Sequence, residues 1–169
     1  MTVMPIRILG DPVLREPAQD VETFDRALRR LADDMLDTMY DAPGVGLAAP
    51  QVGVSLRLFV YDPHDGSAPG AMANPVLSAL EGEQWEEEGC LSIPSLWWSN
   101  KRAMGARAEG LSLHGEPITV EGEGLLARIL QHETDHLNGT LFLDRLKQED
   151  RRKAMDEIRR RELQGRLGS

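Results

Sequence analysis

The chain predicts an α+β fold: antiparallel β-sheets packed around a central helix, with a further helix at the C-terminus. Three observations carry this. Apolar residues fall at helical spacing near the start, alternate through the middle, and return to helical spacing after residue 125. Hairpins need a helix to cover their apolar face, and the order helix, strands, helix supplies one.

From Thr23 to Tyr40 the apolar positions are Phe24, Leu28, Leu31, Met35 and Met39, which share one helix face. Thr23 is the expected N-cap, and Asp41-Ala42-Pro43-Gly44 is a stop signal. "VSLRLFVYD" (54–62) alternates Val54, Leu56, Leu58 and Val60 and reads as a strand. "GLSLHGEPITVEGE" (110–123) reads as a hairpin turning at His114-Gly115, with shorter strands around 74–80 and 83–92. From Leu125, the positions Leu125, Ile129, His132 and His136 share a helical face, and Gly139 is the expected stop. Residues 147–169 carry eight Lys and Arg against five Asp and Glu, a net +3 that leaves −12 for the rest of a chain of net charge −9. Met155, Ile158 and Leu163 form a thin apolar stripe there, and Glu149 and Lys153 make an i,i+4 pair.

At 169 residues the chain is expected to form one domain able to bury its own core. A net charge of −9 disfavours DNA and anionic membrane as partners of the whole chain. Its single cysteine, Cys90, excludes an intrachain disulfide. The opening "MTVMPIRILGDP" has no apolar core of signal-peptide length, and no run of eighteen apolar residues follows, so a cytoplasmic protein with no membrane span is expected.

The chemistry concentrates in "QHETDHLNG" (131–139). His132 and His136 stand four apart on one helix face with Glu133 beside the first. This spacing lets two imidazoles share a metal ion while the carboxylate handles a proton of water. A catalytic site normally has three protein ligands and an open position, so a third must come from elsewhere. The residue six beyond His136, where one protease family has histidine, is Phe142, which cannot bind metal. Glu157 has nearly the downstream spacing used by zinc endopeptidases but lies among Arg159, Arg160 and Arg161. His64 and His114 occupy turn sequences. Cys90, in "EEEGCLSIP", would give a thiolate and two imidazoles, a sound set for a divalent metal.

Three segments together resemble the peptide deformylase family: "GVGLAAPQ" (44–51), "EGCLS" (88–92) and "QHETDH" (131–136), with flanking similarity over residues 4–146. The resemblance implies a catalytic domain over 1–146, with the basic tail 147–169 as part of the same unit. It implies an enzyme that removes the N-formyl group from the N-terminal methionine of newly synthesised proteins. Cys90, His132 and His136 would hold the metal, typically Fe²⁺ and alternatively Zn²⁺, Ni²⁺ or Co²⁺. Glu133 would be the general acid and base, and Gln51 with the Leu91 backbone N–H would stabilise the oxyanion. Val45 and Gly46 would line the path of N-formylmethionyl peptides, and the tail would offer a handle for the ribosome. Trp97 and Trp98 depart from the family's usual text, leaving room for a different formylated substrate.

Overall fold

The computed structural model describes residues 2–165. Helix α1 spans Arg26–Asp41 and is followed by β1 (Gly46–Ala48), β2 (Leu58–Tyr61), β3 (Gly70–Glu81), β4 (Gln84–Cys90), β5 (Ile93–Arg102), β6 (Gly105–Leu111) and β7 (Pro117–Glu123). Helix α2 (Leu125–Leu137) carries the two histidines, and α3 (Gln148–Leu163) closes the described chain. Five strands form one antiparallel sheet in the order β1-β2-β3-β6-β7, and β4 and β5 form a separate hairpin. The α+β architecture expected from the sequence is the one observed.

The sheet is covered on both faces, which explains the unbroken apolar run in β2. Leu58 and Val60 join a cluster with Leu28, Ala32, Met35 and Met39 of α1. Phe59, between them, joins Met72, Ala108, Leu130 and Leu137 on the α2 side. Alternation along a strand thus serves two cores at once. A third cluster packs Cys90, Ile93 and Leu96 of the hairpin against Phe142, Leu143 and, from α3, Ala154 and Ile158.

Several local expectations shift. The N-cap of α1 is Asp25, whose carboxylate accepts from the Leu28 N–H at 3.0 Å, and not Thr23. The expected strand 54–62 shortens to Leu58–Tyr61 because residues before it bond elsewhere: the Arg57 N–H donates to the Gln19 carbonyl at 2.8 Å. The hairpin expected at 110–123 begins earlier, at Gly105, where "GARAEG" gives no apolar alternation to read. In α3 the buried stripe is Ala154 and Ile158, while Leu163 is 84% exposed. Arg166, counted in the basic tail, lies outside the described residues. Gly139 does stop α2: its φ is +75°, and a Cβ there would sit 2.5 Å from the Arg15 carbonyl oxygen. Among the described residues, no helix is long and apolar enough to cross a membrane.

Candidate metal centre and active site

Helix α2 is unusual in being buried on nearly all sides while remaining polar. Arg128, Gln131, His132, Glu133, Thr134, Asp135 and His136 are all buried. Buried polar groups are expensive unless they find partners, so the surroundings of this helix reveal its purpose.

The histidines meet Cys90 at the end of β4. The Cys90 Sγ lies 3.3 Å from the His136 Nε2, and the two Nε2 atoms are 3.1 Å apart. All three donor atoms fall within 4.8 Å of one another. Tetrahedral coordination at ordinary zinc bond lengths would put two nitrogens about 3.3 Å apart and a nitrogen and sulfur about 3.6 Å apart. The observed spacings are close to both, so the residues fit a divalent metal.

Local structure brings Cys90 there. Gly89 pairs with Trp97 across the hairpin, but Cys90 pairs with Ile93, leaving Pro94, Ser95 and Leu96 as a bulge in β5. Such bulges bend a strand and re-aim its side chains. Glu88, two residues before Cys90, is 4% exposed and accepts from the His132 Nδ1 at 2.7 Å. That bond fixes the His132 tautomer with its Nε2 lone pair directed at the cluster. Glu88 also accepts from the Arg102 Nη2 at 2.7 Å and the Arg128 Nη1 at 2.6 Å. Arg102 continues to the Asp135 carboxylate at 2.7 Å, which is also bound by Arg145. The hydrogen bonds from His132 and Arg102 overcome the burial penalty and hold the Glu88 carboxyl well below the usual carboxylate range.

Burial opposes a charge on His132, but the Glu133 carboxylate, the Cys90 sulfur and Glu88 outweigh it and hold its pKa well above the ordinary histidine range. Burial and the neighbouring His132 hold His136 well below it. Burial pushes the Glu133 carboxyl up to about 7, against the pull of His132. Its Oε1 is buried with no hydrogen-bond partner among the described residues, leaving it available to exchange a proton.

Gln51 stands on the other side of the cluster. Its Oε1 accepts from the Ala48 N–H at 2.9 Å, which turns the amide nitrogen toward the Ser92 Oγ at 3.1 Å and the Cys90 Sγ at 3.7 Å. The amide orientation follows from that backbone bond and leaves an N–H₂ donor beside the centre. A cavity of about 480 Å³ opens here, lined by Val45, Gly46, Gln51, Cys90, Leu91, His132 and Glu133. Strand β1 is an edge of the large sheet, so its outer side faces this space. Gly46 is packed against the base: a Cβ there would sit 2.5 Å from the Glu133 Oε2. Ile129 forms buried wall, and Leu125, 46% exposed, stands at the mouth.

The structure therefore brings together Val45, Gly46, Gln51, Cys90, Leu91, His132, Glu133 and His136. It leaves Glu157 apart, accepting from Arg160 and Arg161 on α3. His64 and His114 are both exposed in turns. Sequence reasoning gave no role to Glu88, Arg102, Arg128 or Asp135. Glu88 and Asp135 fall within the segments "EGCLS" and "QHETDH", and the acidic run 86–88 is odd beside a core cysteine, but nothing local marked Arg102 or Arg128.

Residues 3–152 match the family model described as polypeptide deformylase. The chain is 56% identical over 165 residues to the peptide deformylase of Acidothermus cellulolyticus, covering 98% of this chain and 91% of that one. It is 50% identical over 152 residues to the peptide deformylase of Desulfitobacterium hafniense, covering 90% of this chain and all of the other. Among solved structures, the peptide deformylase of Legionella pneumophila superposes with a TM-score of 0.89 at 46% identity, covering 98% of this chain and 99% of its own.

Proposed function

The chain belongs to the polypeptide deformylase family, and on that premise we propose how its residues divide the work of removing the formyl group from the N-terminal methionine of newly synthesised proteins. The convergence of Cys90, His132 and His136 within 4.8 Å, with Glu133 beside them, carries the reading.

Cys90, His132 and His136 hold the metal. Fe²⁺ is the ion we assign, with Zn²⁺, Ni²⁺ or Co²⁺ as alternatives that the same sulfur and nitrogen donors accept. When bound, the ion supplies Lewis acidity, drawing the pKa of water several units toward neutrality. Glu133 accepts the water proton on its unpartnered oxygen and later delivers it to the departing amine. The Gln51 amide N–H and the Leu91 backbone N–H receive the negative oxygen that develops on the formyl carbon. Gln51 needs no reorientation for this, because Ala48 already fixes its amide. Val45 and Gly46 offer the outer edge of β1 to an extended substrate. Glu88 acts through His132, as a positioning residue.

Protein prepared anaerobically with Fe²⁺ should release formate from formyl-Met-Ala-Ser. Glu133→Ala should keep its metal and release none, whereas Cys90→Ser should lose both metal and activity. Glu157→Ala should change neither, which separates this reading from a zinc endopeptidase ligated by Glu157. A wild type that releases no formate would refute the assignment.

The catalytic unit is residues 1–146, with α3 packed onto it through Ala154 and Ile158. Work on nascent chains implies the cytoplasm. Exposed Arg151, Arg152 and Lys153 on α3 support ribosome docking. A chain truncated after 146 that still co-sediments with ribosomes at low salt would remove that part.

A further inference from the structure

Trp97 and Trp98 follow one another in β5 and so point to opposite faces of the hairpin. Trp98 packs into the cluster beneath, with Ile93 and Leu143. Trp97 is 63% exposed and lines the mouth of the active-site cavity. Its ring lies on the α-carbon of Gly89, where a Cβ would meet the indole at 2.8 Å. Any side chain at 89 would lift the ring away, so the glycine seats the tryptophan.

Glu87 shares this face. Across the hairpin it pairs with Ser99, as Gly89 pairs with Trp97, and both Glu87 and Trp97 line the cavity. No Lys or Arg among the described residues lies within ion-pair distance of Glu87. The arginine in the cavity wall, Arg128, is buried and held by Glu88 at 2.6 Å and by the Asn100 carbonyl at 2.9 Å. The mouth thus presents an aromatic face beside an uncompensated carboxylate.

The rim is also held in place. Ser95, in the bulge just before Trp97, has φ +63°, a conformation uncommon outside glycine. Arg161 of α3 donates to the Ser95 carbonyl at 2.5 Å and to the Pro94 carbonyl at 3.4 Å, and is itself held by Glu157 at 2.9 Å. Trp97 therefore stands on a braced segment.

We propose that Trp97 and Glu87 form a subsite for a basic side chain, Lys or Arg, at the second or third residue of the formylated substrate. The inference rests on the deformylase reading above and deepens it. An indole face and a carboxylate together suit a cation that keeps an apolar stem. The reach is right. Glu87 lies three residues along β4 from Cys90, about 10 Å, and an extended peptide covers that distance in about three residues.

The test compares formyl-Met-Xaa-Ala and formyl-Met-Ala-Xaa, with Xaa as Lys, Ala, Glu or Phe. At one of the two positions Lys should exceed Ala by about three- to tenfold in kcat/KM, through KM, and Glu should fall below Ala. The preference should shrink as salt rises. Glu87→Gln and Trp97→Ala should each reduce the Lys-to-Ala ratio and together abolish it, whereas Trp97→Phe should keep most of it. A wild type that turns over the Ala peptide but treats Lys and Ala alike at both positions overturns the subsite and leaves the deformylase reading standing. So does a preference for Phe over Lys, or a Lys preference that survives the double substitution. A wild type that deformylates none of the series overturns both.

Discussion

Removing the Glu88 carboxylate should damage stability and metal binding together, by amounts the contacts allow us to work out. In the folded chain it accepts from Arg102 through two nitrogens at 3.0 and 2.7 Å, from Arg128 at 2.6 Å, from His132 at 2.7 Å and from Asn100 at 3.4 Å. Deleting one partner of a buried ion pair costs about 3–5 kcal/mol, because the other charge stays buried. Here the survivors keep some company. Arg102 retains Asp135 at 2.7 Å, and Arg128 retains the Gln84 amide oxygen at 3.2 Å and the Asn100 carbonyl at 2.9 Å. The lower end of that range, about 3 kcal/mol, is therefore expected for Glu88→Ala. For a domain of this size it corresponds to a fall of about 6–12 °C in Tm. Losing the bond that orients His132 should also weaken metal binding about 10- to 100-fold. Calorimetry of the metal-free protein reads the first effect, and competition with a chelator reads the second. Glu86→Ala, an exposed neighbour on the same strand, is the control and should move stability by less than about 0.5 kcal/mol. If Glu88→Ala melts within about 2 °C of wild type and holds metal equally well, the buried network is not what orients the histidine.

Two further outcomes follow from single contacts. Gly46→Ala should lower kcat by about 10²-fold while metal content is retained, because the new methyl would displace the Glu133 carboxylate from a position 2.5 Å away; unchanged turnover would show that Gly46 does not set the place of the base. The Tyr40 hydroxyl donates to the Asp62 carboxylate at 2.6 Å, and this bond pushes the phenol up to about 12. A pKa raised by folding stabilises the folded state fully below the unfolded value near 10 and is lost as pH climbs toward the folded one. Tyrosinate absorbance should thus lag in the native protein, and Asp62→Asn should bring one of the two tyrosines back toward 10; coincident titration curves would rule the bond out.

The amino-acid sequence by itself determined the elements whose signal is local. Helical spacing marked α1 and α2, alternation marked β2 and β7 but not most of β6, and the four-residue interval put His132 and His136 on one face. It also supplied the chemistry of the ligand set: His64 and His114 sit in turn sequences and Glu157 among arginines, which favoured Cys90, and the resemblance of three motifs to a family pointed to the same residue. What it left undecided is which of several equivalent letters turns inward. Glu86, Glu87 and Glu88 are identical residues in a row, yet Glu88 is buried under His132 while Glu87 faces the cavity mouth. Trp97 and Trp98 divide in the same way, and Arg102 and Arg128 are buried only because distant carboxylates receive them. A strand's period of two is written in its own residues, but its inward face is chosen by what packs on it, here α2 from forty positions downstream. Only the folded chain brings those partners together, so the tertiary structure alone decided the support on which the metal ligands rest.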